Sequence, residues 1–322
     1  MLPLTRLKKV AVLAVIYAAY CQLRSMLLTN AERHCRRIGP QWLGLLAFNI
    51  LNGWSRLNGV DLVSEGGEGY KDLDPKRQYM IVWHPHGFLA WAALFVVSKM
   101  AVLGHPTGRE WFASVAPVLF QIPFFSEALM LVNGRRVQAS TVEGLLAGGA
   151  NIAVQPGGVK EQLVTTHDQE QALFPANLGF LRLAIKHGVT ILPVYIFGEN
   201  QLYRRIPGFD AVSKLIYRTT GAGLPCGSGK LGIPMGGLIP RATPLHVRWA
   251  KPLEVGPKDD NPSEARVQML YQEYVASLQE LFDKYKDECL PPEVAAKGLK
   301  IVKPLKAGVE SEQSMQKATA KL

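Results

Sequence analysis

Tyr79-Met80-Ile81-Val82-Trp83-His84-Pro85-His86-Gly87 decides how this chain folds. The first five residues are uncharged, and Ile, Val, Tyr and Trp favour the pleated, buried surroundings of a sheet, so the run reads as a core strand. It stops at the last four residues. Proline fixes φ and lacks the amide a ladder needs, and glycine admits backbone angles that other residues avoid. Two imidazoles are thus held at a rigid strand-to-loop corner, ahead of another apolar stretch, Phe88 to Val97. In extended backbone His84 and His86 would share a face. A neutral imidazole at such a corner suits a general base, because its ordinary pKa lies near physiological pH.

Outward from this corner, further strands are predicted at Asn151–Gln155, Thr190–Phe197 and Leu245–Trp249, each short and rich in β-branched or aromatic residues. Helical patterns lie at Phe88–Met100, Val137–Leu146 and Pro175–His187, the last ending in a cationic turn followed by Gly188. A long amphipathic helix is predicted from Pro262 to Lys286, with Asn261 and Glu264 as a capping box. Strands alternating with helices predict an α/β domain over residues 58–288, its sheet mostly parallel and flanked by helices. Residues 289–322 are Lys-rich, without periodicity, and read as a basic, mobile tail.

Residues 1–57 read as a membrane-associated apolar segment. A basic start (Arg6, Lys8, Lys9) precedes an uncharged run from Val10 to Leu23, and a second runs from Ile38 to Ser55. Neither reads as a clean run of the roughly 20 apolar residues that a bilayer crossing needs. The connector carries Arg24, Arg33, His34, Arg36 and Arg37 against one acid, Glu32; as the far end of a hairpin it would oppose the positive-inside tendency. A monotopic or re-entrant anchor on the cytosolic leaflet is therefore preferred to a hairpin or a cleaved signal peptide.

A net charge of +10 calls for anionic partners. A membrane surface or phosphates suit the chain, and nucleic acid does not: there is no dense basic helix, zinc-finger spacing or aromatic ribonucleoprotein motif. The scattered Cys21, Cys35, Cys226 and Cys289 read as reduced thiols rather than a disulfide frame.

Two further strand ends carry polar residues. Pro156-Gly157-Gly158 closes Asn151–Gln155 and leads to Glu161, which would approach His86 if the strands are neighbours, since strands of one parallel sheet end at the edge where ligands bind. Phe197-Gly198-Glu199-Asn200 closes Thr190–Phe197; its Glu199 and Asn200 suit a hydroxyl or carbonyl, or else cap the next segment. Arg135 and Arg136 form either a guanidinium fork for phosphates or a solvated face. His84 and His86 lack a third ligand at metal-like spacing, so no metal is expected. The Gly227–Lys230 stretch lacks the first glycine and the Ser/Thr of a P-loop, and no G-x-S-x-G elbow exists.

Taken in order, HPHG at 84–87, QIPFFSE at 121–127, PGGVKE at 156–161, the stretch from Gly179 to Tyr203 containing PVYIFGEN, and the closing helix through LQELFDKYK resemble the type-2 diacylglycerol acyltransferases and their monoacylglycerol and wax-ester relatives. Ser126, where relatives usually carry Arg, and Ala176-Asn177-Leu178, where they carry basic residues, depart from that pattern. The resemblance implies a glycerolipid-acyltransferase-like fold and acyl transfer from acyl-CoA, as co-substrate, to a lipid hydroxyl such as that of diacylglycerol, with no cofactor. It implies His86 as base with His84 as fallback, Glu161 as partner, Gly157 and Gly158 amides as oxyanion donors beside the Gly87 turn, and Arg135 and Arg136 on the CoA phosphates. Glu199 and Asn200 would contact substrate. It further implies an endoplasmic reticulum membrane enzyme with a cytosolic catalytic domain, reaching lipid droplets, and leaves room for a homo-oligomer.

Overall fold

A computed structural model describes residues 4–34, 37–69, 73–91, 99, 108–220, 223, 227–232 and 239–302. The strands are β1 (Val60–Gly67), β2 (Tyr79–His84), β3 (Trp111–Val115), β4 (Gly134–Arg136), β5 (Asn151–Val154), β6 (Glu170–Leu173), β7 (Thr190–Phe197), β8 (Arg204–Arg205), β9 (Gly227–Ser228), β10 (Thr243–Trp249) and β11 (Leu299–Val302). Seven form one sheet in the order β1-β10-β7-β2-β5-β3-β4. β7, β2, β5, β3 and β4 run parallel to their neighbours. β10 runs antiparallel to β7, with β1 parallel to β10 beyond it. The predicted strand at Leu245–Trp249 therefore belongs to an opposed block. A parallel neighbour to β7 needs a crossover that returns the chain to the same end, and the chain enters β10 from the other end.

β2 lies between β5 and β7 and is buried along its whole length, which is why its sequence is continuously apolar. Its side chains alternate between two cores. Met80 and Val82 pack with the helices Gly179–His187 and Glu264–Cys289, whose Val267, Leu270, Tyr274, Leu278, Leu281 and Phe282 are buried. Tyr79, Ile81 and Trp83 face the other core, with Phe88, Trp91, Tyr203 and Trp54. Each fully buried large apolar side chain contributes about 1.5–3 kcal/mol, so packing holds the long helix in place. Its N-cap is Ser263, whose Oγ accepts from the Arg266 amide at 3.3 Å, displacing the predicted capping box at Asn261.

The predicted helix Phe88–Met100 does not begin at Phe88, since residues 87–89 form a turn; its residues 92–98 and 100 lie outside the described set. The predicted mobile tail is folded as far as Val302. A short helix, Pro292–Ala295, leads into β11, which pairs with β6 from Leu299↔Glu170 to Val302↔Leu173. Four residues give too short a pattern to register as periodic, and their backbone partner is the reason they are extended.

The helix α1 (Leu4–His34) is followed by α2 (Gln41–Leu57). Within α1, Ala11–Asn30 is 20 residues long with mean hydropathy 1.6, and that window is 6% buried, so length and composition suffice to cross a bilayer. The uncharged run of the sequence ends at Leu23, before Arg24. The helix carries that residue within it: the guanidinium lies 5.5 Å from the Tyr20 ring centroid and donates to Ser126 Oγ at 3.3 Å.

Candidate active site

β2, β5 and β7 are adjacent and parallel, so HPHG, PGGVKE and FGEN emerge at one edge of the sheet. His84 is the last residue of β2 and points to the same side as Met80 and Val82. Its ring lies 5.0 Å from that of Phe174 and 6.3 Å from that of Tyr274, with the side chain 0% exposed. β2 ends at His84, so His86 lies beyond the strand, at the entrance to the following turn.

Glu161 comes from the helix Gly158–Val164, which follows β5. Its Oε2 lies 3.5 Å from His84 Nδ1, and its Oε1 accepts from the His86 backbone amide at 3.0 Å. The sequence paired this carboxylate with the His86 ring. It accepts from the His86 backbone amide and sits beside the His84 ring, and its charge also acts on the His86 ring. The two glycines before it make this approach feasible: a Cβ on Gly157 would lie 1.9 Å from Glu161 Oε2, and Gly158 adopts φ +48°. Both stand at the first turn of the helix, where backbone amides have no intrahelical acceptor.

The His86 ring is half-buried, and its Nδ1 is 3.1 Å from the Gly87 carbonyl oxygen. A carbonyl can only accept, so Nδ1 is the donor, and in the neutral ring Nε2 is then the nitrogen with the free lone pair. A neutral ring so bonded can take a proton at Nε2. Burial lowers the His86 pKa, and the nearby Glu161 carboxylate pulls against that shift.

Side chains from two strand ends and one helix fasten the backbone of this corner. Gln155 Nε2 donates to Pro85 O at 3.4 Å, and Gln162 Nε2 to Phe88 O at 2.6 Å. The Trp91 amide donates to Glu199 Oε1 at 2.8 Å, and Trp91 Nε1 to Tyr203 OH at 2.7 Å. Gly87 has φ +64°, and a Cβ there would come within 2.6 Å of Glu199 Cγ, so glycine is required twice over.

Glu199 and Asn200 are each 1% exposed. They brace the corner rather than open onto it, and Asn200 Nδ2 donates to Glu170 Oε2 at 2.8 Å. Glu170, which no sequence pattern marked, is 0% exposed beneath the site. Burial raises its pKa, opposed by donors from Tyr195, Gln201 and Asn200.

Arg135 is 1% exposed, donates to Gly134 O at 2.7 Å and lies 4.8 Å from the Phe112 ring centroid. It is a packed part of β4, at the far end of the sheet from β7, and not the open fork expected for phosphates. Arg136 is half-buried on the same strand. At Ser126, the position lacking the usual arginine, Arg24 of α1 brings a guanidinium to Ser126 Oγ. Among the described residues, no group of three or more His, Cys, Asp or Glu is placed to hold a metal ion.

Comparison with known proteins gives the family. The chain is 30% identical over 247 residues to "Diacylglycerol O-acyltransferase 2B" of Umbelopsis ramanniana, covering 71% of this chain and 68% of that protein. It is 30% identical over 233 residues to "2-acylglycerol O-acyltransferase 1" of Bos taurus, covering 69% of each. It is also 30% identical over 228 residues to "Acyl-CoA wax alcohol acyltransferase 2" of Mus musculus, covering 67% of this chain and 68% of that one. A solved structure, the 1-acyl-sn-glycerophosphate acyltransferase PlsC of Thermotoga maritima, aligns loosely at 18% identity and a TM-score of 0.38 over 83% of this chain and 89% of that one. The sequence model of the family described as "Diacylglycerol acyltransferase" matches residues 67–295, which takes in HPHG, PGGVKE and FGEN, and this chain belongs to that family.

Proposed function

We propose that this protein transfers a fatty acyl group from acyl-CoA to the free hydroxyl of diacylglycerol, giving triacylglycerol and CoA, with His86 as general base. Family membership supports the reaction class, and the Nδ1-to-Gly87 bond, which leaves Nε2 unprotonated, carries the assignment of the base. His86 Nε2 takes the hydroxyl proton as the alcohol oxygen attacks the thioester carbonyl. The tetrahedral oxyanion is met by the amides of Gly157 and Gly158. As it collapses, the C–S bond breaks and the CoA thiolate leaves, taking the proton from the imidazolium. A thioester is already activated, so the scheme needs neither a covalent enzyme intermediate nor a cofactor.

Glu161 fixes the His86 backbone, and its charge favours the imidazolium that forms. Of the two arginines expected on the CoA phosphates, Arg135 is packed away and Arg136 is half-buried, so we assign that role to Arg136. The fold is read as glycerolipid-acyltransferase-like. The apolar α1 with exposed Leu13, Val15 and Leu23, Trp42 and Ile50 of α2, and Phe124 at 83% exposure support a membrane-surface enzyme. We place it at the endoplasmic reticulum, with the catalytic domain cytosolic and access to lipid droplets.

The test offers labelled oleoyl-CoA with diacylglycerol, monoacylglycerol, fatty alcohol and lysophospholipid in parallel, to wild type and His86→Ala. Triacylglycerol that vanishes in the variant supports the assignment. Product on another acceptor keeps the mechanism and changes the substrate. Near-normal turnover by a well-folded His86→Ala protein overturns the base.

A further inference from the structure

Glu170 is buried, titratable and outside every motif, yet its carboxylate is fully engaged. Oε2 accepts from Tyr195 OH at 2.6 Å and from Asn200 Nδ2 at 2.8 Å, and Oε1 accepts from Gln201 Nε2 at 2.8 Å. These donors lie on either side of one turn. Tyr195 sits in β7 before Phe197-Gly198-Glu199, and Asn200 and Gln201 come directly after it. One carboxylate therefore grips both ends of the turn that presents Glu199. Glu199 in turn accepts from the Trp91 amide and packs against Gly87, whose carbonyl accepts a hydrogen bond from His86 Nδ1.

Glu170 is itself held firmly. It pairs with Leu299 of β11, and its neighbours are tied to the same segment: Gln169 Nε2 donates to Gly298 O at 2.9 Å, and Lys297 Nζ reaches Asp168 Oδ2 at 2.9 Å. A carboxylate suits the position because it offers acceptors only, and three donors converge on it. An apolar replacement removes the buried acceptor of Tyr195 OH and Asn200 Nδ2 and leaves Gln201 Nε2 with the His167 carbonyl alone.

We propose that Glu170 is a positioning residue for acyl transfer: by clamping the Gly198–Glu199 turn it fixes the loop that sets the orientation of the His86 ring. This rests on His86 being the base. The same segment gives β11 a role in the site, since it supports the strand that supplies the clamp.

The test is steady-state kinetics of full-length Glu170→Ala, Glu170→Gln and Tyr195→Phe in membranes, normalised to folded protein, with His86→Ala alongside. Misplacing a catalytic group by about 1 Å costs on the order of a hundredfold in rate, so Glu170→Ala is expected to lose about that much kcat while KM for oleoyl-CoA stays within about threefold. Glu170→Gln, which keeps an acceptor oxygen for Tyr195 and Asn200, should recover most of the loss. Tyr195→Phe removes one of the three donors and should lose about tenfold, which tests the idea even where Glu170→Ala does not fold. Combining Glu170→Ala with Glu199→Gln should cost no more than the worse single change, because both act on one turn.

A folded Glu170→Ala or Tyr195→Phe protein with kcat within about threefold of wild type overturns the proposal, as do losses that multiply in the double variant. If those variants are active while His86→Ala is dead, the clamp fails and the base stands. If His86→Ala is active, the base assignment itself has failed.

Discussion

Gly157→Ala separates the position of a carboxylate from the integrity of the fold. Gly157 has φ −71° and ψ −29°, angles any residue adopts, so alanine brings no backbone strain. Its methyl would nevertheless lie 1.9 Å from Glu161 Oε2, 2.6 Å from Glu161 Cβ and 2.8 Å from Leu173 O, where real contacts essentially never fall below 3.0 Å. The whole Glu161 side chain must therefore give way, its carboxylate by about 1 Å and the Leu173 carbonyl by a few tenths, which takes Oε1 away from the His86 amide it accepts from at 3.0 Å. Overpacking of this kind costs about 1–3 kcal/mol in stability, and a misplacement of that size costs on the order of a hundredfold in rate. Gly158→Ala is the matched control. Its φ of +48° strains an alanine by about 1–2 kcal/mol, but a Cβ there meets nothing within 4 Å, and the amide is retained. The two variants should lose similar stability in thermal unfolding, yet in initial-rate assays with oleoyl-CoA and diacylglycerol Gly157→Ala should fall about a hundredfold and Gly158→Ala less than tenfold. Equal rate losses would refute the claim that Glu161 placement governs turnover.

Burial holds the His86 pKa below its ordinary value of 6.5, so the base stays neutral to lower pH and the acid limb of kcat/KM should lie below 6.5. Glu161→Gln removes a charge that favours the imidazolium and should move that limb further down; an upward move contradicts the assignment. Arg135→Met should lower stability by about 1–3 kcal/mol through lost hydrogen bonds to carbonyls, leaving KM for acyl-CoA unchanged; a raised KM would return Arg135 to phosphate binding. Burial pushes the Cys289 thiol up to about 11, so peptide mapping after maleimide treatment near pH 8 should find Cys289 unlabelled in native protein and labelled after unfolding.

What the sequence made legible follows from where the signal is local. β2, β5, β7 and the long C-terminal helix announce themselves through apolar periodicity, and their ends carry the polar motifs that the sheet brings to one edge. β1 contains Asp61 and Glu65, and β6 reads Glu-Gln-Ala-Leu; both owe their extended form to a distant partner, Thr243 to Trp249 for one and Leu299 to Val302 for the other. The direction of β10 is likewise set by a connection and not by its own residues. At the site, the histidines and Glu161 are visible as types at strand ends, but which atom meets which is not. Adjacent arginines look alike whether solvated or packed, so the burial of Arg135 left no trace in the pattern. Glu170 sits in the polar stretch Thr165–Gln171, where a carboxylate is unremarked until three donors are seen to converge on it. The hydrogen bond from Arg24 to Ser126, residues about a hundred positions apart in the chain, is a purely tertiary event.

The pairing of Val60 with Thr243 joins residues separated by more than half the chain. Closing so long a loop is entropically costly, and contacts of high sequence separation slow folding. Because β1 begins three residues after α2 ends, it leaves the ribosome beside the apolar helices while β10, its sheet partner among the described residues, is still unsynthesised. An unpaired strand edge in that interval is a template for wrong association. Yield of active enzyme should therefore track the rate of translation and the supply of chaperones more closely than the final stability of the domain, and the first strand to be made is among the last to be closed.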